Sequence, residues 1–196
     1  MSFDYPVRDF SALKGIPGLS DEQLAVHRKL YEGYVTNANQ LRRELDAMRA
    51  NGQMGSLAFA ELNRRLPFEL DGMVLHELYF ENLKPGGEPI PKGGKFEKRV
   101  VERFGSVAAY VEDLKAIAKM RGVGWALTLQ DPNTGWIENR WISLHQDGNV
   151  AGHTVLLALD VWEHAWSVDH KPTERAKYLD AVFPALDFAV AESRTR

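Results

Sequence analysis

The sequence predicts an α+β chain: an N-terminal antiparallel helical hairpin, then a domain in which helices cover a small antiparallel three-stranded sheet. Three observations carry this reading. Apolar residues recur at helical spacing through the first part of the chain. A stretch dense in Pro and Gly, KPGGEPIPKGG, then breaks the pattern. Beyond Gly124 three short runs turn aromatic and β-branched, the composition of strands.

The first helix opens at a capping box, Ser20-Asp21-Glu22-Gln23. Its apolar positions are Leu24, Leu30, Tyr34, Leu41, Leu45 and Met48, and Asn51-Gly52 supplies the stop. A second helical region runs from about Ser56 to Leu83 and contains Pro67. A proline there removes one helix hydrogen bond and crowds the preceding turn, so it is expected to kink the helix or split it in two. The Pro/Gly stretch is the expected linker between a hairpin domain, 1–86, and a C-terminal domain, 87–196. KFEKRVVERFG and SVAAYVEDLKAIAKMRG read as two further helices, the second capped by Ser106. WALTLQ, WIENRWISLH and HTVLLALDVW read as the strands, the first two joined by the turn DPNTG. The tail returns to helix and bends or breaks near Pro184.

Composition narrows the function classes. With 196 residues, 44% hydrophobic and 26% charged, the chain has the make-up of an ordinary globule. A net charge of -3 without a long basic block gives no footprint for nucleic acid. No apolar run reaches membrane-spanning length, and MSFDYPVRDF has no basic segment followed by an apolar core, so the expected address is cytoplasmic. The absence of cysteine excludes disulfides, thiolate metal sites and cysteine nucleophiles. Any metal must be held by His and carboxylates.

The stretch LLALDVWEHAWSVDH ends an apolar strand in Asp160 and His164. One reading makes Asp160 a helix N-cap with Glu163 at the third helical position. The other aims Asp160 and His164 from a rigid strand end at one point. Six histidines are present, and two of them, His27 and His76, lie one on each helix of the hairpin. His76 is embedded in MVLHELYF, where an imidazole needs partners for its nitrogens. Two imidazoles from the hairpin with one imidazole and one carboxylate from the sheet edge would form a nitrogen and oxygen site of the kind that suits iron, manganese or zinc rather than calcium. His153 and His170 are assigned no chemistry.

The segment DVWEHAW, Asp160 to Trp166, resembles the DxWEHAY signature of the iron/manganese superoxide dismutases. LSDEQLAVH, YVTNANQL, FGSVAAY, GVGWALTL and YLDAVFPALDF follow the family's order along essentially the whole chain. The resemblance implies that His27, His76, Asp160 and His164 hold one manganese or iron ion per subunit. It implies superoxide as substrate, with the metal cycling between trivalent and divalent states to give dioxygen and hydrogen peroxide. Tyr34 matches the family's gateway tyrosine and Trp162 the tryptophan that walls the pocket, with Trp125 packed nearby. Relatives bring a Gln to the metal-bound solvent either from four residues before the second His, which is Gly72 here, or from the sheet domain, where LHQDGN offers Gln146; this favours manganese. Glu163 is expected to reach His164 of a second subunit across a homodimer. Arg175 falls where relatives keep an arginine that could guide the anion.

Departures from the family leave an alternative: a metal-binding member without dismutase activity, serving as a scaffold or in other oxygen-related chemistry. Six residues separate His27 from Tyr34 where relatives have one more, a difference of about 100° of helical rotation. His27 and Tyr34 cannot both face the site on the relatives' helix unless those carry a one-residue π-bulge absent here. The family's His four before the tyrosine is Leu30, with Tyr31 four after His27, and the tyrosine three after the last ligand is Ser167.

Overall fold

The computed structural model describes residues 3–196. Helix α1 spans Asp21–Ala50 and α2 Leu57–Glu81, and the two pack side by side as the hairpin. Helices α3, Lys95–Phe104, and α4, Val107–Ala118, lead into the sheet, and α5, Arg175–Val182, and α6, Phe188–Arg194, close the chain. The sheet consists of β1, Gly124–Gln130, β2, Ile137–Ser143, and β3, Thr154–Asp160, all antiparallel in the order β2-β1-β3. β1 is buried along its whole length because it is the central strand, with α4 against it and against β2, and α2 and α6 against β3.

Several expectations change in detail. Pro67 lies inside α2 without splitting it: the helix continues on packing against α1, which outweighs one lost hydrogen bond. Leu30 is exposed while Tyr31 is buried, since Tyr31 sits one turn beyond His27 on the inward face. The capping box at Ser20 is half formed. Ser20 Oγ accepts the Gln23 N–H at 2.9 Å, but the Gln23 side chain turns elsewhere. β2 ends at Ser143, so Leu144 and His145 leave the strand. The tail breaks around Pro184 into α5, a 3₁₀ turn at Phe183–Ala185, and α6.

Antiparallel pairing brings the start of β1 and the ends of β2 and β3 to one edge, with Trp125 opposite Asp160 and Gly124 opposite Ser143. Gly124 is required there: its φ is +153°, and a Cβ would lie 2.0 Å from the Ile142 carbonyl oxygen. Asn82, fully buried after α2, joins the halves. Its side-chain N–H donates to Ala158 O of β3 at 2.8 Å, and its Oδ1 accepts from Arg194 of α6 at 2.8 Å. The hairpin is thereby seated on the end of β3.

Candidate metal centre

His27 on α1 and His76 on α2 meet Asp160 at the end of β3 and His164 in the 3₁₀ turn Glu163–Ala165. One donor atom from each of the four lies within 4.8 Å of all the others. Two donors on one first-row ion, each about 2.0–2.2 Å from it, sit at most about 4.4 Å apart. A contraction of a few tenths of an ångström fits the cluster to a single ion.

The donor chemistry tests that fit. His76 Nδ1 donates to Gly72 O at 2.6 Å, which places the proton on that nitrogen and leaves Nε2 a bare lone pair. His76 Nε2 is buried without a hydrogen-bond partner and lies 3.5 Å from Asp160 Oδ2, another acceptor. Two lone pairs facing each other in a dry site are costly unless a cation lies between them. His27 Nε2 and His164 Nε2 each approach the same Asp160 Oδ2 at 3.0 Å. Burial would raise the Asp160 carboxyl, but His164 and His27 reverse this and hold it well below the usual carboxylate range. Burial pushes His27 and, further, His76 below the ordinary imidazole value, so both stay neutral and able to ligate.

The helix-cap reading of Asp160 does not survive. Asp160 ends a strand, its Oδ1 accepts the Trp162 N–H at 2.8 Å, and the turn that follows has no side-chain cap. Its backbone carbonyl accepts the Tyr178 hydroxyl at 2.7 Å, so strand, turn and α5 fix it together.

The seven-residue step from His27 to Tyr34 resolves in favour of a regular helix. Seven residues turn the helix about 700°, only about 20° short of two full turns, so both side chains share one face of α1 without a bulge. The Tyr34 ring lies 5.0 Å from the His76 ring, and Tyr34 Oη is 2.8 Å from His145 Nε2. Gly72 makes room for it: a Cβ there would come within 2.7 Å of Tyr34 Cδ1. The space that a side chain at position 72 would take is therefore filled by the tyrosine ring.

The sheet-side neighbour of Tyr34 is His145 rather than Gln146. Fully buried, His145 accepts the Trp125 indole N–H on Nδ1 at 3.0 Å and meets Tyr34 through Nε2. Burial pushes its imidazole down to about 4, so it is neutral near pH 7. With Nδ1 accepting, the single proton is on Nε2, which donates to Tyr34 Oη. Gln146 makes no side-chain hydrogen bond among the described residues, and its Oε1 is buried without one. The reason is local. Ile142 is buried and Ser143 exposed, so a continued strand would bury Leu144 and Gln146 and expose His145. Leu144 instead takes φ +53°, which inverts the alternation.

Trp162 stacks between His145 and His164, with ring centroids at 4.7 and 5.4 Å. Trp125 meets His76 edge to face at 5.0 Å. The Glu163 side chain is exposed and, among the described residues, makes no hydrogen bond to the His164 ring. Arg175 donates to Met120 O and Gly122 O and lies over Trp166, so its guanidinium is spent on structure. Gln23 was missed by sequence reasoning as a site residue. Buried one turn before His27, it donates through Nε2 to His164 O at 2.7 Å and accepts the Val168 N–H on Oε1 at 2.8 Å. Its i,i+4 spacing from His27 was the available signal.

Comparison with known proteins agrees with this geometry. The family model for the alpha-hairpin domain of iron/manganese superoxide dismutases matches residues 3–84, and that for their C-terminal domain matches residues 91–194. A protein of Aquifex pyrophilus named as an iron superoxide dismutase is 32% identical over 192 residues, covering 95% of this chain and 89% of its own. A manganese superoxide dismutase of Haloferax volcanii is 33% identical over 181 residues, 92% of this chain and 87% of its own. One from Haloarcula marismortui, also named for manganese, is 34% identical over 181 residues, 92% and 86%. Two family models that fall on the two halves supplying two donors each, and relatives aligned along nearly the whole chain, lead to one conclusion: this chain belongs to the iron/manganese superoxide dismutase family.

Proposed function

We propose that this chain is a superoxide dismutase working through one iron or manganese ion held by His27, His76, Asp160 and His164. The observation that carries the reading is the bare, buried Nε2 of His76 aimed at Asp160 Oδ2 inside a four-donor cluster. When bound, iron or manganese supplies the one-electron couple by which superoxide is alternately oxidised to dioxygen and reduced to hydrogen peroxide; zinc lacks such a couple.

The chain's own residues manage the protons and the surroundings. Trp125 fixes the His145 tautomer, and His145 donates to Tyr34 Oη. Tyr34 therefore keeps its own phenolic proton free to donate toward the site. Burial and the Asp160 and Glu69 charges raise the Tyr34 hydroxyl above its ordinary value, so it stays protonated across the physiological range. Trp162 and Trp125 wall the cluster with apolar faces and limit water. We assign to His145 the outer-shell place expected of Gln146.

The exposed Glu163 supports a homodimer in which it accepts the outward N–H of the partner copy's ligating imidazole, the usual way a carboxylate orients such a ring. Among the described residues no helix is long and apolar enough to cross a membrane, and a cytoplasmic location remains the working address. The division at residues 86 and 87 is likewise retained, supported by family matches that end at 84 and resume at 91.

The test is stopped-flow superoxide decay per bound ion, on protein reconstituted separately with manganese and iron. Decay far above that of the free ion with either metal is expected, and the faster one names the working metal. Decay no faster than the free ion, with metal demonstrably bound, would retire the activity.

A further inference from the structure

The three residues that link the end of β2 to Asp147 have no regular structure to hold them. Ser143 and Asp147 close the loop by exchanging backbone hydrogen bonds of 2.8 and 3.1 Å, leaving Leu144, His145 and Gln146 at its tip. Among the described residues Leu144 is the one non-glycine with positive φ. A leucine holds such a conformation only when its surroundings impose it. Two carbonyls in succession are pinned. Leu144 O accepts the Trp162 indole N–H at 3.2 Å, and His145 O accepts from Asn149 Nδ2 at 2.9 Å. The other hydrogen of the same amide nitrogen goes to Asp71 Oδ2 at 3.1 Å. Asp71 precedes Gly72, whose carbonyl orients His76 and whose missing side chain admits Tyr34.

We propose that Asp71 and Asn149 are positioning residues: their hydrogen bond ties the loop to α2 and holds His145 inward, against Tyr34 and Trp125. The inference rests on the reading of His145 as the group that orients the Tyr34 proton. Among the described residues neither side chain hydrogen-bonds to the donor cluster. Asn149 is exposed, and a packing role in the core is closed to it. What the tether adds is a fixed distance between the helix that carries His76 and the loop that carries His145. Without it the loop loses its tie to α2, and the Trp162 bond to Leu144 O is left to hold the turn against the strand alternation that turns His145 out.

The test uses the full chain. Asn149→Asp removes both amide hydrogens at constant size and sets two carboxylates face to face, Asn149→Ala removes the bonds to Asp71 and to His145 O without adding charge, and Asp71→Asn keeps an acceptor oxygen for Asn149. The first readout is the Trp125 indole N–H resonance in the zinc-loaded protein, zinc being a diamagnetic ion suited to the same donors. The chain has five tryptophans, and the resonance is assigned by its loss in Trp125→Phe. The Trp125 signal is expected downfield in the parent, shifted upfield in both Asn149 variants and at the parent position in Asp71→Asn. With manganese or iron bound, kcat is expected to fall about ten- to a hundredfold in Asn149→Asp, at unchanged metal content. A Trp125 resonance unmoved by both Asn149 variants overturns the proposal. A resonance that moves while the parent itself fails to dismutate superoxide upholds the tether and overturns the activity instead, so the two failures are separable.

Discussion

Replacing Gly72 by Ala asks whether Tyr34 reaches the centre only because α2 lacks a side chain there. The added Cβ would stand 2.7 Å from Tyr34 Cδ1 and 3.0 Å from Cε1 and Cγ. Ordinary contact begins near 3.4 Å, so the ring has to retreat by about 0.7 Å at its nearest atom. Its hydroxyl is 2.8 Å from His145 Nε2, and a retreat of that size takes the pair toward the limit of a hydrogen bond. Overpacking of this kind costs about 1–3 kcal/mol, and a lost neutral hydrogen bond adds about 1 kcal/mol. Ala is better than Gly in a helix interior by about 1 kcal/mol, which offsets part of it. The clash should win, by about 1–3 kcal/mol, which for a chain of this size lowers Tm by roughly 3–10 °C. Thermal unfolding followed by circular dichroism reads the stability, and superoxide decay on the same preparation reads the Tyr34 geometry. A Tm that rises by the helix-propensity increment, with decay unchanged, would refute the reasoning: it would mean that the space above Gly72 is open and that Tyr34 is placed by something else.

Two further predictions concern residues around the cluster. Burial holds His145 down to about 4, against about 6.5 in an unfolded chain. Above pH 6.5 neither state carries the proton, and between 6.5 and 4 only the unfolded one does. Stability of the metal-free chain should therefore fall as pH drops through that window, with His145 contributing at most about 3 kcal/mol. His27 and His76 are lowered by burial too and add to the same slope, so His145→Gln should flatten it only in part; a variant with the parent's full slope in urea titrations would contradict the burial argument. Gln23→Ala removes both hydrogen bonds that clasp the His164 turn. It should cost roughly 2–3 kcal/mol of stability and weaken metal affinity on the order of tenfold, measured by competition with a chelator; unchanged affinity would make Gln23 a purely structural clasp.

Much of the site was legible because its signals are local. DVWEHAW marks the end of β3, and the i,i+4 step from Asp160 to His164 survives as a strand end followed by a single 3₁₀ turn. His27 and His76 stood out as imidazoles on apolar helix faces, and helical periodicity is a short-range property that a linear reading captures. The seven-residue step from His27 to Tyr34 follows the same short-range rule. Measured on an unbroken helix, seven residues is nearly two turns, and both side chains reach the site.

The misreadings share a physical origin: each side chain's direction is set by partners distant in sequence. Gln23 fits a capping box by spacing, yet its amide finds His164 O and Val168 N, 141 and 145 residues away, and buries itself there. Gln146 sits where the family pattern puts a glutamine. The turn at Leu144, held by Trp162 from beyond β3 and through Asn149 by Asp71 on α2, presents His145 in its place.

By itself, then, the sequence determined the family, the α+β order of elements and the four residues whose donors converge, because helix period, strand composition and a contiguous motif are encoded over a few residues at a time. Only the tertiary structure decided which neighbours turn inward around that cluster: Tyr34 over the bare backbone of Gly72, His145 in front of Gln146, Gln23 onto the His164 turn. Those choices depend on hydrogen bonds and close contacts between α1, α2 and the sheet edge, and such contacts exist only once the two halves of the chain have packed together.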